Sequence, residues 1–297
     1  MTQQMRRLSL IGIPIYTLTK NLGMGLAVQS LRDLGFVQTL RNRFGNVMDF
    51  GDVRLPILTK DAGTLNLKNY SHFSASSDAI LAMTKKIPRE DMVFCLGGEC
   101  GLILGSAAGL KQNLAGRPGL LWIDAHGDFN TPETTQSGFI GGMPLAFVCG
   151  RGPKFNSEIE NLRPLIREKS VVHVGGRDFD PLESNAMKTS QMKLYSPSNI
   201  RTKGISKTAA EIADYLVDQS DWIICHFDID ALDPSIVSAV NFPSPGGLSL
   251  EDVRILVGAV NQTGRLRVFN LAGYSSVLDK DKTSGRILID LISRLSL

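Results

Sequence analysis

The sequence predicts one doubly wound α/β domain, a mainly parallel sheet with helices on both faces. Three observations predict it. Short, almost unbroken apolar runs recur along the chain, longer stretches with helical spacing separate them, and two of the runs end in acidic clusters. A strand covered on both faces has no wet side to alternate with, so parallel sheets read as continuous apolar runs. Ligands of such sheets bind outside the carboxyl ends of the strands, which is where both acidic clusters fall.

Taken in order, residues 8–15 form the first expected strand, and 27–34 follow with apolar residues at helical spacing. Residues 77–86 read as a helix, 91–96 as a strand, 102–114 as a helix and 119–123 as a strand. Further strands are expected at 170–174, 222–227 and 267–271, most of them bounded by Gly, Asp or Pro. Helices are expected at 208–218 and 250–261, the second opened by Ser249-Leu250-Glu251-Asp252, a capped start. This βαβα order implies right-handed crossovers. The stretch 130–142 is rich in Thr, Ser and Gly and reads as a loop lining the mouth of the site.

At 297 residues with 43% hydrophobic content, the chain can bury a sizeable core as a single unit, 1–297. Its 32 basic and 29 acidic residues are scattered, giving a net charge of +3 without a basic run. No nucleic-acid or membrane partner is expected from that pattern. The apolar stretch within residues 1–11 is too short for a signal peptide, and no run approaches the roughly 18 apolar residues of a membrane span. Cys95, Cys100, Cys149 and Cys225 lie in or beside apolar runs rather than in a spaced framework. Reduced thiols in a cytoplasmic protein are the expectation.

The acidic clusters carry the chemistry. Asp124-Ala125-His126-Gly127-Asp128 closes one apolar run, and Asp228 with Asp230 closes another about a hundred residues on. In extended backbone, residues two apart share a side, so each cluster aims its donors at one point. Asp124, His126, Asp128, Asp228 and Asp230 offer hard oxygen and nitrogen ligands, which suit Mn or a similar divalent ion. Five converging donors are too many for one ion unless carboxylates bridge two. A lone Asp at a strand end is most often a cap or turn residue, and a lone His there a hydrogen-bonded structural group. The repetition of strand and acidic cluster is what favours metal. His226 falls on the same side as Asp228 by alternation, yet it reads as a core histidine bonded to backbone rather than a ligand.

These residues carry a family likeness. The run Trp122-Ile123-Asp124-Ala125-His126-Gly127-Asp128-Phe129-Asn130-Thr131-Pro132-Glu133-Thr134-Thr135 resembles the arginase, agmatinase and formiminoglutamase superfamily, the ureohydrolases. So do Ser137-Gly138, Gly142-Met143-Pro144 and Asp228-Ile229-Asp230-Ala231-Leu232-Asp233-Pro234. Residues 23–35, Asp49-Phe50-Gly51-Asp52 and Gly176-Arg177-Asp178-Phe179-Asp180 resemble the family's first helix, an early Gly-Asp turn and its central loop. The resemblance implies a three-layer α/β/α domain around about eight strands. It further implies two Mn ions bridged by Asp124 and Asp228, with Asp128 completing one ion's ligands and His126 with Asp230 the other's. A bridging hydroxide, bonded to Asp128 as the catalytic carboxylate, would attack an amidine or guanidine carbon and release an amine. Homo-oligomers, trimers or hexamers, are common in the family.

The chain departs from the family pattern at three places. The Gly-Gly-Asp-His segment that supplies a sixth ligand appears as Gly97-Gly98-Glu99-Cys100, and a soft thiolate at Cys100 favours Zn or a weakly held Mn. Zn, Ni and Fe therefore stand beside Mn as candidates, and a buried small residue is the bland reading of Cys100. Gly141 stands where arginases carry a proton-shuttling His, and Gly273 where they carry the Glu that grips the guanidinium. Phe139 occupies a position that is often Asn. Other contacts survive: by resemblance Asn130 and Ser137 would hold a substrate carboxylate, and Asp180 and Glu183 an amino group, making the substrate amino-acid-like. Each also has an ordinary structural reading as a cap, a turn or a solvated group.

Two functions follow. One is a metal-dependent hydrolase of non-peptide C–N bonds in a linear amidine or guanidino compound. The other is a catalytically impaired relative with one metal ion or none, acting as a ligand-binding or regulatory subunit. The metal ligands, present but for Cys100, favour the first, because acidic residues are costly to cluster without cations.

Overall fold

The computed structural model describes residues 7–297, so the signal-peptide reading falls partly outside the described residues. Eight strands form one sheet: β1 (Leu8–Ile13), β2 (Val47–Asp52), β3 (Met92–Gly97), β4 (Pro118–Ile123), β5 (Val171–Val174), β6 (Lys193–Tyr195), β7 (Trp222–Asp228) and β8 (Leu266–Ala272). Their spatial order is β2-β1-β3-β8-β7-β4-β5-β6, and every neighbouring pair is parallel. This is the single α/β domain that the sequence predicts.

Successive residues of a strand point to opposite faces, and the two apolar cores sort accordingly. Phe94, Leu121, Cys225 and Phe227 pack on one face with the helices Phe36–Phe44, Ile205–Gln219, Leu250–Gln262 and Thr283–Arg294. Cys95, Trp122 and Ile224 pack on the other with Tyr70–Thr84 and Leu102–Asn113. At the start of Leu250–Gln262, Ser249 Oγ accepts from the Asp252 N–H at 3.1 Å while Asp252 returns a bond to Ser249, as the capped start predicts. The four cysteines are free and buried. No helix among the described residues is long and apolar enough to cross a membrane.

Several elements differ from the sequence reading. The edge strands β2 and β6 contain no buried residue, so they carry no apolar run to betray them. Asp49-Phe50-Gly51-Asp52 lies within β2 rather than in a turn. The helix expected at 77–86 is Tyr70–Thr84. Its first turns are weak helix formers, and the packing of Phe73 against Phe147 and Phe155 overrides their propensity. The helices Phe36–Phe44, Pro181–Thr189 and Thr283–Arg294 were not anticipated.

The central strands β3, β8, β7 and β4 deliver Cys100, Gly273, Asp228 and Asp124 to one end of the sheet. Two groups, one half-buried and one buried, stiffen that end. The Arg177 guanidinium donates to six carbonyls, those of Gly175, Asp230, Ala231, Leu232, Ser244 and Pro245, at 2.5–3.2 Å for all but Leu232 at 3.3 Å. It clamps the loop after β5 to the turn after β7. His226 stacks on Trp122, with centroids 3.9 Å apart and planes within 7°. It is a core histidine as expected, but its partner is the Asn270 amide 3.5 Å from Nδ1 rather than backbone, and Nε2 has no partner. His173 Nε2 bonds the His126 carbonyl at 2.7 Å.

Two outcomes follow from these contacts. Arg177→Met removes a charged donor from six carbonyls and should cost about 2–3 kcal/mol in urea unfolding; a loss under about 1 kcal/mol would show the clamp to be dispensable. Burial holds His226 down at about 3 and His173 at about 4. Both are depressed below the 6.5 of a free imidazole, so their stabilising contribution is complete above pH 6.5 and drains away as the pH falls toward those values. His226→Phe should therefore flatten the fall in unfolding free energy, measured by urea titration, between pH 6.5 and 4, by up to about 3 kcal/mol at the lower end.

Candidate metal centre

Strand alternation is not what gathers the acidic groups. β4 stops at Ile123, and the Asp124 carboxylate accepts the His126 N–H at 2.8 Å. β7 ends at Asp228, whose Oδ1 accepts the Asp230 N–H at 2.9 Å and caps the 3-10 turn Ile229–Ala231. In both places an Asp bonds the N–H two residues on, the turn that a short carboxylate favours. The expectation of extended backbone is thus corrected: twin turns fold each cluster back on itself. Asp128 is held further on at a positive φ of 47°, a conformation Asp tolerates better than most residues. Its carbonyl takes the N–H groups of Leu145 and Ala146, pinning the loop to the start of helix Pro144–Val148.

The donors converge. Cys100, Asp124 and Asp128 place one donor atom each within 4.8 Å of one another, and so do Asp124, His126 and Asp230, with Asp124 common to both groups. Asp228 joins the first through the Cys100 thiol, which donates to Asp228 Oδ2 at 2.8 Å and lies 3.8 Å from Asp124 Oδ2. In the second, His126 Nδ1 is 3.0 Å from Asp230 and 3.6 Å from Asp124. These residues line a cleft of about 510 Å³ together with Asn130, Ser137, Asp180 and Glu183, so every sequence-predicted site residue faces one space.

The charges in this cleft are unbalanced. None of its lining residues is lysine or arginine. Burial, then repulsion from Asp230, pushes Asp228 up to about 7; burial, then Asp124, pushes Asp230 up to about 6. Asp124 and Asp128 rise for the same reasons, and the Cys100 thiol is raised by burial and by Asp228. Burial would lower His126, but its bonds to Asp124 and Asp230 lift it to about 12. A set of oxygen donors with one imidazole and one thiol, lined by no lysine or arginine, fits divalent cations, which would take the place of the His126 proton and relieve the repulsion.

The remaining predicted residues are engaged with one another. Asn130 is buried, donates to Asp180 at 3.0 Å and accepts from Thr134. Glu183 is buried rather than solvated; its oxygens take the N–H groups of Phe129 at 2.9 Å and Asp180 at 3.2 Å at the start of helix Pro181–Thr189. Ser137 is exposed at the rim and accepts the Phe139 N–H.

Some cleft residues escaped sequence reasoning. Trp122 donates its indole N–H to Asp124 Oδ2 at 3.1 Å, and its place two residues before Asp124 could have signalled this. Phe242 lies edge-on to His126 at 6.1 Å and beside Phe139 at 5.6 Å, far from any motif in sequence. A side chain at Gly141 would meet the Phe139 ring at 2.2 Å, so that ring fills the space above Gly141. Gly273, at φ 89°, has no room for a side chain: a Cβ would lie 2.0 Å from Asp228 Oδ1.

The likenesses to known proteins run the length of the chain. It is 28% identical over 291 residues to arginase from Bacillus subtilis, covering 98% of this chain and 97% of that protein. It is 31% identical over 274 residues to arginase-1 of Xenopus laevis, covering 90% and 85% respectively. The crystal structure of arginase from Bacillus caldovelox superposes with a TM-score of 0.90 at 26% identity, covering 98% of both chains. Because the sequence model of the arginase family also matches residues 6–297, the fold and the converging donors have one origin, and the chain belongs to the arginase family.

Proposed function

We propose that residues 1–297 act as one metal-dependent ureohydrolase unit that cleaves a non-peptide C–N bond in a linear amidine or guanidino compound. The observation that supports this most is the convergence of four buried aspartates on one cleft that no lysine or arginine lines. Two Mn ions are the cofactors this reading assigns, held by Cys100, Asp124, His126, Asp128, Asp228 and Asp230, with Asp124 shared as the two donor groups share it. When bound, such a pair supplies a Lewis acid and a water acidified to near neutrality.

The chain's own residues do the rest. Trp122 and the two Asp turns hold the carboxylates still, so little reorganisation is needed on binding. Asp128, whose carboxyl is raised by burial and by Asp124, takes the role of proton holder beside the scissile carbon. Asn130 and Ser137 present polar groups to an amino-acid-like tail, with Asp180 as the anionic contact. Glu183, both oxygens already bonded to backbone, serves by fixing Asp180 and Phe129. Phe139 and Phe242 roof the cleft near His126 and help exclude water. The buried free thiols suit a reducing compartment such as the cytoplasm, and assembly as a homo-oligomer follows the family habit.

One observation favours the second reading, a ligand-binding or regulatory subunit: the thiol at Cys100 is pushed away from ionisation by burial and then by its aspartate neighbours. Metal analysis decides between them. Protein reconstituted with Mn should hold near two ions per chain and release urea or ammonia from some member of a panel of arginine, agmatine, guanidino acids and formimino compounds. One ion or none, with no turnover, would establish the subunit reading instead. Asp128→Asn should lower turnover by roughly a hundredfold or more while leaving the urea midpoint in place. Cys100→His should fill its metal position at a lower Mn concentration, read by equilibrium dialysis; an unchanged titration would show that residue 100 contributes no ligand.

A further inference from the structure

We propose that Glu99 determines specificity: its carboxylate, fixed at the floor of the cleft, receives the positive charge of an amidinium or guanidinium substrate in preference to a neutral urea or amide. The inference rests on the cleft being the substrate site of a hydrolase.

Glu99 follows β3 and is buried, 3% exposed, yet lines the cleft beside Cys100, Asp228 and Asn241. Its oxygens are held only by neutral donors. Asn21 donates to Oε1 at 2.8 Å, and the Thr17 hydroxyl donates to Oε2. Asn21 is itself steadied by Asn241, whose amide donates to it at 2.9 Å. Three side chains thus orient a carboxyl group that has no countercharge, and burial holds it above the usual carboxylate range, at about 7.

The other carboxylates of the cleft have occupations. Asp124, Asp128, Asp228 and Asp230 are the candidate metal ligands. Asp180 accepts from Asn130, Glu183 is spent on two backbone N–H groups, and Asp178 stands exposed at the rim. Glu99 is the buried carboxylate left with neither a metal role nor a cation. The neighbouring strand end lies alongside: the Gly273 N–H bonds the Gly98 carbonyl at 2.8 Å, and Asp228 occupies the position that a side chain at 273 would take, so residue 273 places no group beside Glu99.

The Glu99 carboxylate accepts from the Asn21 amide and from the hydroxyl and N–H of Thr17, which leaves about one of its roughly four lone-pair sites for a substrate. A planar amidinium can donate an N–H there, and charge strengthens the bond. A neutral urea offers similar donors without the charge, so the preference should lie in the charge and depend on Glu99.

The test uses the full-length, Mn-reconstituted protein, with methylguanidinium and methylurea as probes. Calorimetry should find methylguanidinium bound roughly tenfold to a hundredfold more tightly than methylurea. Glu99→Gln should abolish that preference, and its Mn content should equal the wild type's. Glu99→Asp, which keeps the charge but withdraws it by one methylene, should retain a smaller preference; it also serves if the Gln variant does not fold. An unchanged preference in the variants would overturn the proposal, and so would loss of Mn, since that would make Glu99 a ligand. Turnover of the panel with no charge preference sinks the Glu99 assignment alone. A Glu99-dependent preference without turnover supports the assignment and sinks the hydrolase reading.

Discussion

Four carboxylates buried within a few ångströms of one another are the constraint on which this structure turns. Taking a charge out of water costs several kcal/mol even after relaxation, and like charges at close range add to the penalty. His126 is the one side chain among the site residues that can carry an opposing charge, and it is already bonded to Asp124 and Asp230. A protein of marginal stability cannot sustain that arrangement through packing alone. The arrangement makes physical sense as a receptor for cations, and the scaffold around it is built to hold the receptor rigid.

That rigidity comes from backbone as much as from side chains. The paired Asp turns after β4 and β7 use the carboxylates to bend the chain that carries them, so the same groups shape the loop and face the cleft. Arg177 binds the turn after β7 from behind through carbonyls; it does not line the cleft, yet its charge is near enough to act on Asp230 and Asp124. Trp122 links the sheet interior to Asp124, and His226 beneath it fills the core with a neutral ring. Removing Arg177, Trp122 or His226 would leave the candidate ligands in the sequence but loosen the distances between them, and metal affinity and positioning are steep in distance.

The departures from the family pattern become intelligible as packing. Gly141 and Phe139 are one feature, because the ring occupies the volume that a side chain at 141 would need. Gly273 is tied to Asp228 in the same way, since its left-handed backbone brings it against that carboxylate. The mouth of the cleft is walled by the rings of Phe139 and Phe242, and its floor near Gly273 is filled by Asp228. Both features leave the gathered donors in place.

Much of this was legible from residue order. The apolar runs of β1, β3, β4, β5, β7 and β8 announce buried strands because a parallel sheet covered on both faces admits few polar residues. The acidic clusters announce themselves because so many carboxylates at strand ends have few other uses. The edge strands β2 and β6 were silent, being half wet, and the start of Tyr70–Thr84 was hidden by weak helix formers that tertiary contacts recruit. What only the tertiary structure decided is proximity between distant segments. Phe242 over His126, Asn21 and Thr17 on Glu99, Arg177 on the carbonyls after β7, and the want of space at Gly273 all join residues far apart in the chain. Local sequence sets which face a residue prefers and where a turn forms, but a contact across the sheet depends on strand order, and strand order is settled by packing the whole core at once.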